Sequence, residues 1–487
     1  MIPVKETKQN KLVRIEFGHE PVEKRIQHFR DFTIALDEKS VNQQSRRCLH
    51  CGTPYCSAMC PLHNRPVDFN LLVREGKWHS AWECLTTTNP FPEFTSRVCP
   101  ALCEPGCTQY LMEDAAVGIK TIERAIIDRA WKAGWVKPLP PLAKTGKSVA
   151  VVGSGPAGMA CAQRLVRAGH DVVLFDKAPK AGGLLRYGIP DFKLTKDLID
   201  KRLSQMQEEG VRFEMNTAVG VREFEKGIHS AARKFVQAKT LLAQFDAVVL
   251  ACGSETPRDL NVPGRDGKGV YFALDLLQEQ NRQVAGEVKK TAVDCAGCDC
   301  VGTARRQGAG KIYQLDLMPM PPEKEDKEAT WPEWPRILRT STSHEEGCER
   351  MWQTSTKEIL LDDKGNVRAV RCVKIEWAKD PATGRFTPKE VPDSAFEIPA
   401  QRVFLAMGFT QPSQGLLDAF ALAKDARGNA LAQPENGMNP FVTSDARVFA
   451  CGDTRSGQSL VVRALREGLR CADAVDRYLS QPQQEAA

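Results

Sequence analysis

No apolar run in this sequence is long enough to cross a membrane. The most apolar stretch, Ser148–Ala162, is broken by glycine and proline. The first twenty residues, MIPVKETKQNKLVRIEFGHE, lack an apolar core of signal-peptide length. These two absences predict a cytoplasmic protein. A lysine or arginine block is also missing. The 67 basic and 61 acidic residues are dispersed, and the formal net charge is only +6. Such a distribution reads as solvated surface charge and predicts no nucleic-acid or membrane partner. What remains is a chain of 487 residues with an ordinary apolar fraction. That length has room for two to four domains.

The 17 cysteines are unevenly placed, with eight between Cys48 and Cys107. In a reducing compartment, clustered cysteines are metal ligands or redox centres before they are disulfides. The first run is Cys48-x2-Cys51-x4-Cys56-x3-Cys60-Pro61, and the second is Cys99-x3-Cys103-x3-Cys107. Soft thiolates at these spacings suit iron–sulfur clusters, and a proline after the last cysteine of a run is a ferredoxin-type feature. Seven thiolates nearly complete two four-ligand sites. A zinc site is the alternative, and it would leave three of them idle. Cys84 falls outside the spacing and reads as a core residue.

Val117–Gly134 then has the period of an amphipathic helix, with Ile122, Ile126 and Ala130 on one face. Lys137–Leu142, KPLPPL, reads as a linker and predicts a domain boundary near residue 145. Beyond it, strand and helix patterns alternate, as in α/β layers. Pro319–Pro335, rich in proline and charge, reads as a surface excursion. Asp380–Gly384 reads as a hairpin turn after a strand at Val373–Trp377.

The strongest single motif is the strand ending at Val152, followed by Gly153-Ser-Gly155-Pro156-Ala157-Gly158 and a helix over Met159–Ala168. Asp176 ends the next strand, Val172–Phe175, at the spacing of a ribose contact. Each glycine has its own physical reason. Gly153 allows the tight turn, Gly155 the approach of a pyrophosphate, and Gly158 the close packing of helix on strand. The helix N-terminus offers N–H donors and a positive dipole end to the phosphates.

Three further segments resemble the FAD-binding elements of the two-dinucleotide-binding flavoproteins. They are Gly182-Gly183-Leu184-Leu-Arg-Tyr-Gly188-Ile-Pro190, the late Cys451-Gly452-Asp453, and Ser459-Leu460-Val461. The resemblance implies that Asp453 contacts the flavin ribityl chain and that the helix after it points at the isoalloxazine. A helix N-cap is the alternative for Asp453. Val248–Gly253 and Val403–Gly408 resemble the small-residue strand ends where such chains cross between domains.

Taken together, R-C-x2-C-G-x-P-x-C-x3-C-P, N-P-F-P-E, R-V-C-P-x2-C-E-x2-C and GGLLRYGIP closely resemble the small (β) subunits of NADPH-dependent glutamate synthases. The N-terminal half of dihydropyrimidine dehydrogenase is similar. The resemblance implies two [4Fe–4S] clusters with interleaved ligands. Cys48, Cys51, Cys56 and Cys107 would hold one. Cys60, Cys99 and Cys103 would hold the other, with Glu123 as its fourth ligand. A solvated helix carboxylate is the alternative for Glu123. The implied fold is α/β: a helical iron–sulfur domain (1–145) plus two Rossmann-like dinucleotide-binding domains of the disulfide-reductase type. Residues 146–275 and 406–487 would bind FAD, and 276–405 would form the NAD(P)H-binding-like domain. The implied partner is the large (α) subunit, which makes glutamate from glutamine and 2-oxoglutarate.

One element departs from that family. The second glycine-rich turn, expected to bind NADPH, here reads Ala292-Val-Asp294-Cys-Ala-Gly297-Cys298-Asp299. Only Gly297 remains of the expected glycines, while Asp299-Cys-Val-Gly-Thr-Ala304 matches the helix that follows. Side chains at Val293, Asp294 and Cys295 would obstruct the pyrophosphate, and Asp294 would repel it. Met320 stands where many relatives carry an arginine. These features predict weakened NADPH binding. They keep open a second reading, an electron-transfer module with an impaired nicotinamide site. A stand-alone reductase for another acceptor is a third. Cys295-x2-Cys298-x-Cys300 has no further ligand set nearby in sequence and is not read as a metal site.

Overall fold

The structure, a computed structural model, describes residues 12–288, 298–381 and 383–481. The cysteine-rich part is helical. Pro66 and Pro92 sit in the first turn of the helices Pro66–Arg74 and Pro92–Val98, where a missing N–H costs nothing. Asp37 caps Glu38–Ser45 by accepting a hydrogen bond from the Ser40 N–H at 2.8 Å. The amphipathic segment forms the helix Ile119–Lys132. Its stripe Ile122, Ile126 and Ala130 is fully buried, and Gly134 follows with φ +68. Phe69, Val73, Leu85, Ile119 and Ile122 share one core with Cys56 and Cys107.

Lys137–Leu142 carries no helix or strand. After it, a five-stranded parallel sheet runs in the order Val448–Ala450, Ala247–Leu250, Ser148–Val152, Asp171–Phe175, Arg212–Glu214. After Ser148 the central strand is apolar and buried, because both of its faces are covered. One face packs on the helices Pro156–Arg167 and Val461–Ser480, through Met159, Leu165, Leu465 and Val475. The other packs on Leu416, Leu417 and Phe420.

The edge strand Val448–Ala450 comes late in the chain, so a second unit is inserted before it. That unit has two parallel strand pairs, Val270–Phe272 with Val403–Leu405 and Tyr313–Leu315 with Glu349–Met351. It also holds the helices Ala273–Val284 and Cys298–Arg306 and an antiparallel sheet built on Val367–Lys379. The hairpin turn is closed by the Gly384 N–H donating to the Asp380 carbonyl at 2.8 Å.

The helical part is docked on the body. Cys60, Leu62, Phe91 and Phe94 belong to the same core as Met159 and Leu465. Glu93 and Arg202, both buried, pair through two bonds of 2.7 and 2.9 Å. Arg25, near the N-terminus, reaches Glu346 of the inserted unit at 2.9 Å, and Arg306 shares that carboxylate. Pro319–Pro335 lies largely at the surface, as its composition predicts, but it is tied down by its aromatic residues and charges. The Trp331 ring packs on Tyr55 at 4.8 Å, and the Tyr110 hydroxyl donates to Glu325. Proline and charge dominate this stretch in sequence, but its aromatic residues decide where it lies.

Candidate functional site

A cavity of about 800 Å³ opens at the C-terminal ends of the parallel strands, the place where open α/β sheets bind ligands. The glycine turn forms one wall. At Gly153, φ is +105 and a Cβ would lie 2.4 Å from the Ala251 carbonyl oxygen. At Gly158 a Cβ would lie 1.8 Å from the Gly153 carbonyl oxygen, so helix and turn are in backbone contact. At Gly155 a Cβ would meet no protein atom within 4 Å. Gly155 lines the cavity with Pro156, Ala157, Gly183 and Leu184. Asp176 also lines it and ties the turn to the next strand, accepting from the Ser154 N–H at 2.7 Å.

Asp453, Ser459, Leu460 and Val461 form the facing wall. Gly452, not Asp453, is the N-cap of the short helix Asp453–Ser456. Burial raises the Asp453 carboxyl, against the hydrogen bond it accepts from the Ser459 hydroxyl at 2.7 Å. Val461 starts a 20-residue helix whose N-terminus meets the cavity. Gly158, Gly188 and Gly452 do not line the cavity. Gly188 ends the helix Leu184–Tyr187. A glycine-lined wall, two carboxylates and two helix N-termini fit an elongated dinucleotide such as FAD.

The seven cysteines and Glu123 gather around two smaller cavities. Cys48, Cys51, Cys56 and Cys107 line one, and Cys60, Cys99, Cys103 and Glu123 line the other. Among the described residues, no three His, Cys, Asp or Glu side chains converge closely enough to hold one metal ion. Donors ringed around a volume suit a polynuclear cluster better than a single tetrahedral zinc. Burial lifts the Cys56 thiol to about 12, and the neighbouring Cys107 and Cys48 add to it. Burial likewise lifts Cys60 to about 11. Thiolates crowded this way need a cationic centre to neutralise them. Glu123 is not a solvated carboxylate. It is 6% exposed, and its Oε1 accepts from the Thr95 hydroxyl and the Asn89 amide. Burial pushes its pKa up to about 7.

The three cavities adjoin. Leu102 lines both the large cavity and the one beside Glu123. Ile119 lines both cysteine cavities. Leu49, at the outer cysteine cavity, is 47% exposed.

Of the second dinucleotide turn, Val293, Asp294, Cys295 and Gly297 lie outside the described residues. Asp299 is in the first turn of Cys298–Arg306. Burial raises its carboxyl, opposed by Lys193 and Lys196. Met320 is half exposed, and Cys300 is buried in the core of the inserted unit. Cys84 packs, partly buried, against the helical core.

Some site residues carried no sequence signal. Lys177 and Glu255 form an ion pair in the wall of the large cavity. Burial works against the Lys177 ammonium, but Glu255 and Asp176 outweigh it and hold its pKa above the ordinary value. Glu467 holds the Gly452 turn, accepting from its N–H at 2.8 Å. Cys252, which also lines the cavity, lies in the Val248–Gly253 segment flagged as a crossing strand end.

Two family models match the chain in separate stretches. Residues 25–135 match the family model described as dihydropyrimidine dehydrogenase domain II, 4Fe-4S cluster. Residues 147–468 match pyridine nucleotide-disulphide oxidoreductase. The glutamate synthase [NADPH] small chain of Mycobacterium tuberculosis (strain CDC 1551 / Oshkosh) is 42% identical over 94% of this chain and 92% of its own length. The glutamate synthase [NADH] of Saccharomyces cerevisiae is 38% identical over 95% of this chain, which spans only 22% of that protein. Among solved structures, Mycobacterium tuberculosis FprA in complex with NADPH has a TM-score of 0.50 at 18% identity. The match covers 68% of this chain and 84% of FprA, and it speaks for the fold alone. No helix among the described residues is long and apolar enough to cross a membrane. Because the match to the bacterial small chain runs nearly end to end on both sides, this chain belongs to the glutamate synthase small chains, oxidoreductases that join a 4Fe-4S domain to a pyridine nucleotide-disulphide oxidoreductase body.

Proposed function

We propose that this chain is the electron-input subunit of a glutamate synthase. It oxidises NADPH at FAD in the large cavity and passes the electrons through two [4Fe–4S] clusters to a large subunit. The large subunit makes glutamate from glutamine and 2-oxoglutarate. The observation that carries this reading is the adjacency of the three cavities through Leu102 and Ile119. FAD supplies the conversion of a hydride pair into single electrons, and clusters carry them one at a time.

The chain's own residues do the rest. Gly153, Gly155 and the helix at Pro156 receive the pyrophosphate, Asp176 the ribose and Asp453 the ribityl chain. Cys48, Cys51, Cys56 and Cys107 hold the outer cluster; Cys60, Cys99, Cys103 and Glu123 hold the inner one. Leu102 and Ile119 keep water from between the sites. Domain boundaries near residues 145, 275 and 405 follow from this assignment. The relatives named for NADPH and NADH support a nicotinamide donor, which Asp299 and its helix would receive.

Anaerobic purification tests the reading. Two clusters correspond to about eight iron atoms per chain, with one FAD. Cys51→Ser should remove one cluster, because a hydroxyl is a harder and poorer ligand than thiolate. About four iron atoms in the wild type, or zinc in place of iron, would overturn it. Titration with NADPH and NADH under argon tests the donor site. The departures at residues 292–298 predict flavin reduction only at high nucleotide concentration, restored by rebuilding a glycine-rich turn. Rapid reduction at micromolar NADPH would remove the second reading, an impaired nicotinamide site.

A further inference from the structure

The two cysteine cavities differ in the cation that lines them. The side chains lining the outer cavity beside the thiols are apolar or neutral, Asn70, Thr108, Gln109, Val117, Ile119 and Tyr55 among them; the buried Arg47, which reaches Cys107, lies outside that lining and is tied to Glu113 and to the Ala115 and Ala116 carbonyls. Lys120 lines the inner cavity together with Cys60, Cys99, Cys103 and Glu123. It sits one turn before Glu123 on the helix Ile119–Lys132, so both side chains share a helix face.

The carboxylates near Lys120 already have other partners. Glu104 accepts from the Lys120 backbone N–H at 3.0 Å, and its other oxygen pairs with Arg14 at 2.7 Å. Glu123 is held by Thr95 and Asn89. Burial lowers the Lys120 pKa and Lys193 adds to this, while Cys99, Glu104 and Glu123 attract the ammonium and hold the charge in place. A cation placed among cluster ligands acts on whatever charge the cluster carries. Each electron added makes a cluster more negative, so a fixed neighbouring cation favours the reduced state.

We propose that Lys120 is a potential-setting residue. Its ammonium raises the reduction potential of the inner cluster, the one that adjoins the flavin cavity, relative to the outer cluster. The inference rests on the two-cluster reading above. It gives the inner site a defined role: the first acceptor is made favourable for electrons leaving the flavin.

The test is an EPR-monitored redox titration of the full chain loaded with FAD and iron, comparing wild type with Lys120→Met, Lys120→Gln and Lys120→Arg. Cys51→Ser, which lacks the outer cluster, identifies the inner signal. The neutral variants should shift the inner midpoint downward and leave the outer one in place. The expected size is at least a tenfold change in how an electron distributes between the two clusters, or about 59 mV for one electron. Lys120→Arg should keep the wild-type value. An unchanged inner midpoint in both neutral variants would overturn the proposal, as would an equal shift of both clusters. Loss of the inner cluster's iron in both neutral variants would also overturn it, since Lys120 would then hold the cluster rather than set its potential. A wild-type chain without two clusters would instead refute the reading beneath it.

Discussion

At Gly155 a Cβ meets open space, while at Gly158, three residues on, it meets a carbonyl oxygen at 1.8 Å. The two substitutions to valine should therefore fail in different ways. Gly155 has an ordinary extended backbone, φ −68 and ψ −176, so Gly155→Val should fold and purify without flavin. Its side chain fills the space a pyrophosphate needs. Gly158→Val should lower the melting temperature instead, at a cost of about 1–3 kcal/mol or more from overpacking. Flavin absorbance and thermal melts on the two variants separate these outcomes. If Gly155→Val retained stoichiometric flavin, the site would have been put in the wrong place. This pair was legible in the sequence because glycine spacing encodes backbone geometry directly. The clamp on Glu123 was not, because Thr95 and Asn89 lie 28 and 34 residues away and meet it only through folding.

Two elements carry more than their sequence patterns announce. The helix Val461–Ser480 begins at the large cavity, and Val462 lines the inner cysteine cavity. At Gly468 a Cβ would lie 2.2 Å from the Ala157 carbonyl oxygen, so this helix is pressed on the one that follows the glycine turn. The other element is the stretch Pro319–Pro335. Trp331 packs on Tyr55, which lines the outer cysteine cavity, and Trp334 lines the large cavity. Trp331→Ala should uncover the outer cavity while leaving the inner one sheltered. The expected result is faster loss of one cluster's signal in air, with the other decaying at the wild-type rate. Equal decay of both signals would show that this stretch shields neither in particular.

Across the whole molecule, the helical part and the sheet domain share a core through Phe91, Phe94 and Leu465. The Glu93–Arg202 pair crosses the same interface, and both side chains are buried. Removing one partner of a buried pair leaves an uncompensated charge and costs about 3–5 kcal/mol. Glu93→Ala should accordingly lower the denaturation midpoint, and the flavin and cluster signals should fall together. Separate transitions in the wild type would show two independently stable domains. The docking also sets Leu102 of the helical part against the large cavity.

The sequence by itself determined the order of parts: a cysteine-rich helical segment, a linker, a glycine turn between strand and helix, an inserted unit and a late Gly-Asp turn. Those features are local, fixed by periodicity, by glycine's backbone freedom and by thiolate chemistry at short spacing. Spacing alone left open which thiols belong together, and a family resemblance supplied the grouping; in the tertiary structure Cys107 joins Cys48 across 58 intervening residues and Cys60 joins Cys99. Only the tertiary structure decided that Lys120 faces the inner cavity and that Pro319–Pro335 folds back on Tyr55. Such groupings depend on side-chain packing between distant segments, and helix and strand periodicity carries no record of which distant faces will meet.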